Sequence, residues 1–270
     1  MIVRLTFLMV FLATAAISQD RRPSHCIAVA NAAPGLQYVI RVGLLDQIAA
    51  DSVRISYVDH SMFLIQTSGG LSVVTDYTGF LGATNFVPTI VTMNHAHSSH
   101  WTPVVNARIA HVLKGWGLYG QGVEHHLDLG EMLIRNVSTD IRSGIGGVEP
   151  KGNSIFVFEV GGLCVGHLGH LHHEPTDEQY AALGRLDVVF AAVDGGLTVP
   201  LPTMVRILKR LKSSVVIPMH WFGRNTLDRF LLGMADEFEI VRSDRSSLEI
   251  SLRTLPRRPT VIVLEPKLLN

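Results

Sequence analysis

The sequence predicts a single α/β domain on three observations: strand-length apolar runs recur from end to end, amphipathic helical stretches fall between them, and no linker-like shift in composition divides the chain. With 270 residues, 47% hydrophobic, and a mean hydropathy of +0.28, the chain can fill one substantial core. Disordered and collagen-like sequence are excluded. Lys and Arg number 23 against 23 Asp and Glu, so the basic excess that nucleic-acid or anionic-lipid binders carry is missing. The expected partner is a small-molecule substrate, not nucleic acid.

The elements read in order as follows. Residues 1–18 run from Arg4 through the apolar stretch 5–13 to small residues ending at Ser18. That is the order of a secretory signal, and the apolar stretch is too short for the roughly 20 residues a membrane span needs. The mature chain is expected to be periplasmic or secreted, without stable membrane insertion. A leader with Pro and Gly, residues 19–50, comes next. Strand-like runs then fall at 53–58, 62–67 and 71–75, with Gly69-Gly70 marking a hairpin turn, and further runs at 89–93, 154–160, 163–165, 187–193 and 215–219. Helical patterns fall at 107–114, 176–183, 202–212 and 226–236. Thr176 with Gln179 fits a capping box, and Met204, Ile207, Leu208 and Leu211 form an apolar stripe. Residues 143–152, rich in Gly, read as a surface loop. Cys26 and Cys164 are the two cysteines, and an exported compartment would permit a bridge. Cys164, inside the apolar run 163–165, reads as a buried strand residue in preference to a disulfide partner.

Histidine is the unusual residue: thirteen in all, eleven of them between His95 and His220. The apolar run 89–93 leads directly into His95, His97 and His100. The run 163–165 leads to His167 and His170, and 215–219 to His220. Three strands that each end in histidine point to one site at one edge of a sheet, and several neutral imidazoles at one point make a site for zinc or a similar divalent ion.

Taken in order, the pieces Asp59-His60-Ser61-Met62-Phe63-Leu64-Ile65, Thr75-Asp76, His95 to His100, Gly152-Asn153-Ser154, Gly166-His167-Leu168-Gly169 and Ile217-Pro218-Met219-His220 resemble the metallo-β-lactamase-fold hydrolases. The branch they look most like is that of the ascorbate-phosphate lactonases. The resemblance implies a metallo-β-lactamase-like domain over residues 51–270, built as a four-layer α/β/β/α sandwich with its metal site at one edge of two packed sheets. It implies the ligand set His95, His97, His100, Asp140, His170 and His220, holding one or two divalent ions, zinc first and manganese or iron as alternatives. Three positions depart from the family pattern. Ser99 stands where the family has aspartate, Asp140 stands near the position of the next ligand histidine, and His170 stands where an aspartate often bridges two metals. A hydroxyl is a poorer ligand than a carboxylate, which favours one firmly held ion.

The resemblance also implies hydrolysis of an ester, lactone, amide or phosphodiester bond by hydroxide generated at the metal. Asp140, His170 and His60 are the candidates for moving protons or touching substrate. Asp76 corresponds to a family aspartate that orients the histidine loop, and Asp194 ends another apolar run and lines the same pocket. His172 and His173 are loop residues able to supply a proton. His167 and Trp221 read as structural, and His25, His111, His125 and His126 receive no role. The altered ligands keep a second possibility open: a non-catalytic metal- or ligand-binding protein on the same fold.

Overall fold

Successive side chains of a strand point to opposite faces, so a strand with an unbroken apolar run must be covered on both sides. In β1 (Val53–Asp59) and β2 (Met62–Thr67), Ile55, Phe63 and Ile65 enter a core between two sheets, whereas Val58, Met62 and Leu64 enter a second core outside them. The computed structural model describes residues 23–28, 44, 46–95, 97–142 and 146–270. The expected signal segment 1–18 and most of the leader 19–50 lie outside the described residues. β1 and β2 join β3 (Ser72–Val74), β4 (Ile90–Met93), β5 (His111–Lys114) and β13 (Ser247–Ile250) in a six-stranded sheet of order β13-β1-β2-β3-β4-β5. The second sheet contains β6 (His126–Asp128), β7 (Met132–Arg142), β8 (Val148–Val160), β9 (Leu163–His167), β10 (Val188–Ala192), β11 (Val215–Met219), β12 (Glu239–Arg242) and β14 (Thr260–Val263). Its order is β12-β14-β11-β10-β9-β8-β7-β6.

Phe63 stacks on Tyr57 at 4.6 Å and on Phe190 at 4.0 Å between the sheets. Fully burying one such ring stabilises the fold by about 1.5–3 kcal/mol. On the outer face of the eight-stranded sheet, Val189 and Val216 meet α3 (Leu201–Leu211) and α4 (Arg224–Met234) through Met204, Ile207, Leu208, Leu227, Phe230 and Met234. Helix α2 (Asp177–Leu183) starts with both halves of the expected capping box, Gln179 N–H donating to Thr176 Oγ1 and Thr176 N–H to Gln179 Oε1. Among the described residues, loops carrying Tyr77, Leu81 and Ile109, with Leu269 near the end, cover the outer face of the six-stranded sheet. The result is the expected α/β sandwich, with loops in place of helices on that side. Among the described residues no helix is long and apolar enough to cross a membrane.

Four local expectations need correction. Residues 107–114, read as a helix, contain the strand β5, which pairs in parallel with β4 from Ile90↔His111 to Met93↔Lys114. Pairing to an open sheet edge outweighs the local helical pattern there. Residues 148–152, read as part of a loop, open β8, where Val148 and Glu149 pair with Arg142 and Ile141 of β7. The half-polar strand β7 and the short strands β12 to β14 lie outside the strand-like runs read from the sequence, although β14 has the apolar run 261–264. Cys164 is buried in β9 as expected, but it is also bonded to Cys26 of α1 (His25–Ala28), with Cα atoms 5.9 Å apart.

Strand direction places the site. β9, β10 and β11 are parallel, and so are β3 and β4. Their carboxyl ends deliver His170, Asp194, His220, Asp76 and the histidine loop to one edge.

Candidate metal centre

The loop after β4 closes as a turn: His100 N–H donates to His97 O at 2.9 Å, and Asn94 N–H to His100 O at 3.2 Å. The turn presents His97 and His100 together. His95 lies before it and goes elsewhere. Its ring stacks on Trp116 at 5.0 Å, with Nδ1 3.3 Å from Glu149 Oε1. The sequence-based ligand set therefore needs revision at His95, because the spacing His-x-His does not say which side of the strand end each ring takes.

Four imidazole nitrogens converge. His97, His100, His170 and His220 offer ligand atoms that all lie within 4.8 Å of one another. The Nε2 atoms of His97 and His170 are 3.1 Å apart, as are those of His100 and His220. Each ring is held from behind at Nδ1. Asp76 Oδ2 is 2.5 Å from His100 Nδ1, Asp194 Oδ2 is 3.0 Å from His220 Nδ1, Ser99 Oγ is 2.8 Å from His97 Nδ1, and His172 Nε2 is 2.8 Å from His170 Nδ1. Asp76 and Asp194 are carboxylates, so the Nδ1 atoms facing them carry the proton. The Nε2 atoms of His100 and His220 then meet as two lone pairs, which repel at that distance unless a cation lies between them. A tetrahedral ion bound to imidazoles at 2.0–2.1 Å would set its nitrogens about 3.3 Å apart. The residues present fit such an ion.

The charge states agree. Burial, and then the neighbouring imidazoles, push the His60, His97 and His170 pKa values down to about 3, about 4 and about 2. Asp76 is lowered to about 2: its burial opposes ionisation, but the charge and hydrogen bond of His100 and the donor Asn94 prevail. Asp194 is lowered as well, because His220, Gly196 and Thr198 outweigh its burial. For the histidines the unfolded chain takes up protons near the ordinary value of 6.5 while the folded chain does not. Stability of the metal-stripped protein should therefore fall as pH drops from 6.5 toward 4. Asp76 adds a further loss only between its ordinary 3.8 and about 2. Thermal unfolding followed by circular dichroism tests this, and a midpoint that stays level from pH 6.5 to 4 would contradict neutral histidines in the site.

The other predicted residues are placed as follows. Asp140 does not join the cluster: it sits at the register shift between Thr139 and Ile141, where its Oδ1 accepts the Lys151 amide at 2.9 Å. A β-bulge leaves that amide without a ladder partner, and the carboxylate supplies one. His60 does lie against the site, its ring 3.9 Å from that of His220, and its Nε2 is buried with no hydrogen-bond partner among the described residues. His173 Nε2 accepts the Asp140 amide, and His167 donates from Nε2 to Ser61 O at 2.9 Å, a structural role. Trp221 packs on the helical side of the core.

Sequence reasoning missed two asparagines. Asn94 donates to Asp76 Oδ1 at 3.0 Å and accepts the Ser154 amide at 2.9 Å, while Asn153 Oδ1 accepts the His170 amide at 2.9 Å. Their signal was adjacency, Asn94 beside His95 and Asn153 in Gly152-Asn153-Ser154. Gly169 lies between them at φ +60°, and a Cβ there would come within 2.5 Å of Asn153 Oδ1 and 2.7 Å of Asn94 Nδ2. His60, Asp76 and His220 also take positive φ, at 45°, 44° and 57°, so strain concentrates at the site.

Residues 54–220 match the beta-lactamase superfamily domain. The chain belongs to this family. A metal-dependent hydrolase of Nanoarchaeum equitans is 25% identical over 185 residues, covering 63% of this chain and 84% of its own. The fold is shared with a structure from Thermotoga maritima described as a Zn-dependent hydrolase of the metallo-beta-lactamase superfamily. That match has a TM-score of 0.56 and 24% identity, over 79% of this chain and 99% of the other. A metallo hydrolase of Ignicoccus hospitalis matches at TM-score 0.50 and 19% identity, over 68% of this chain and 91% of its own.

Proposed function

We propose that this chain is an exported metal-dependent hydrolase that holds one zinc ion on His97, His100, His170 and His220 and cleaves an ester, lactone, amide or phosphodiester bond next to an apolar group. The observation that carries the reading is the convergence of Nε2 atoms whose rings are each held at Nδ1. Four neutral imidazoles suit zinc better than manganese, which prefers oxygen donors. A bound divalent ion supplies an acidified water and polarises a carbonyl or phosphoryl oxygen. The chain does the rest. Asp76 and Asp194 hold their imidazoles in one tautomer. His60, kept neutral by burial, stands beside the cluster with an unpartnered Nε2 able to meet a polar group of the substrate. Phe222 is 65% exposed, yet its ring lies 5.4 Å from His220 and 5.5 Å from His60, so an apolar surface stands at the lip of the centre. Export is supported by the order of residues 1–18 and by the buried disulfide.

A second reading has its own support. Four nitrogen donors can close a tetrahedral shell, as structural sites do, whereas catalytic sites keep a position open. His97 is the exposed member and has only a serine behind it, so it is the ligand able to give way. Elemental analysis together with a hydrolysis panel separates the readings, and the panel should begin with lactones in view of the resemblance noted above. One equivalent of zinc with turnover supports the hydrolase. Bound zinc without turnover on any of the four bond types supports the binding protein, and no metal at all overturns both. If Phe222 lines the substrate site, Phe222→Ala should raise KM about tenfold for aryl esters, the loss of about 1.4 kcal/mol of apolar contact, and leave acetyl esters unchanged. Equal effects on both would remove Phe222 from the site.

A further inference from the structure

At the opposite end of β9 from His170, a second cluster of donors plays no part in the metal centre. Cys26 and Cys164 are bonded there and buried. His25 lies beside them, with a ring nitrogen and the two sulfurs within 4.8 Å of one another. His25 Nδ1 is 3.1 Å from Glu159 Oε2, and Arg135 Nε holds the same carboxylate at 2.8 Å, as does the Ser24 hydroxyl. The other ring nitrogen, Nε2, is buried with no hydrogen-bond partner among the described residues. On the sulfur side, Arg185 Nη2 donates to Cys164 Sγ at 3.4 Å, while its Nε faces Asp187 Oδ1 at 3.1 Å.

We propose that reduction of the Cys26–Cys164 bridge turns this cluster into a binding site for a thiophilic divalent ion such as zinc, with Cys26 Sγ, Cys164 Sγ and His25 Nε2 as ligands. The carboxylate behind His25 does what Asp76 does for His100: it holds the proton on Nδ1 and leaves Nε2 as a lone pair. A guanidinium at Cys164 favours the thiolate, which is the form that binds metal. Two thiolates and an imidazole make a soft donor set, preferred by zinc over hard cations. In the oxidised protein the sulfurs share a bond and offer no thiolate, so the ion and the disulfide exclude each other. Reduction by a dithiol breaks the S–S bond, adds two electrons and two protons to give two thiols, and oxidises the reagent to its cyclic disulfide. Metal binding then releases the two thiol protons as two sulfur–metal bonds form. Either link ties residues 23–28 to β9.

Cobalt distinguishes this site from the four-histidine centre, because only thiolate ligands give an intense near-ultraviolet sulfur-to-cobalt band. The full chain is reduced with dithiothreitol, desalted without oxygen and titrated with Co2+ beside the oxidised protein. The expected result is one further equivalent of cobalt with that band in the reduced protein only. The band should vanish in Cys26→Ser and in Cys164→Ser, and His25→Ala should bind at least about tenfold more weakly. Equal cobalt uptake in both redox states, or added uptake without the band, would overturn the proposal. So would loss of the native circular dichroism on reduction, since the site requires residues 25–26 to stay seated on β9.

Discussion

His220→Ala should leave the protein without stoichiometric divalent metal and lower hydrolysis by more than about a thousandfold. His220 is fully buried, its Nε2 lies 3.1 Å from that of His100, and its backbone, at φ 57°, donates its N–H to His60 O at 3.0 Å. The variant should still fold, because Asp194, which loses its imidazole, keeps the amides of Gly196, Leu197 and Thr198 and the Thr198 hydroxyl. Its unfolding midpoint after metal removal therefore reports folding separately from metal loss. His95→Ala is the informative companion: with its ring on Trp116 and outside the cluster, it should retain metal. Elemental analysis of both proteins decides. Metal retained in His220→Ala, or lost in His95→Ala, would mean that the ion sits elsewhere on the histidine loop.

The contrast between His95 and His220 shows what a sequence makes legible. His220 ends an apolar strand whose neighbours β10 and β14 run parallel to it, so its placement follows from strand direction. His95 also follows a strand, yet the turn that binds His100 N–H to His97 O leaves it outside, and no spacing rule contains that turn. Asp140 is a carboxylate near the expected ligand position, but a bulge between β7 and β8 depends on how the two strands pair and uses it for the Lys151 amide, 11 residues away. Strands buried on both faces, such as β2 and β10, were visible as apolar runs, whereas the half-polar β7 and the edge strand β5 depend on their partners. The Cys26–Cys164 bridge joins residues 138 apart in sequence and could not be deduced from two cysteines alone.

Asp76→Asn and Asp194→Asn should each weaken zinc binding by about 10–100-fold without removing a ligand. The cause is a proton in the wrong place. Asp76 accepts Asn94 Nδ2–H on Oδ1 and faces His100 Nδ1 with Oδ2. An asparagine there has one oxygen and one amino group. If its amino group faces Asn94, two donors collide. If it faces His100, the imidazole must accept at Nδ1 and carry its proton on Nε2, where the ion should be. Asp194 is more constrained still, since Oδ1 accepts three backbone amides and the amino group of an asparagine is thereby driven toward His220 Nδ1. Charge acts in the same direction. Four neutral imidazoles leave a dication uncompensated in a buried site, and these two carboxylates, both held below their ordinary pKa, supply the balancing charge. The double variant should therefore lose more than the product of the single effects, because it removes both of the carboxylates that balance the ion's charge. Competition against a chromogenic zinc chelator measures all three affinities. Losses that merely multiply would assign the effect to tautomers alone, and wild-type affinity in both single variants would mean that these carboxylates do not orient the ligands.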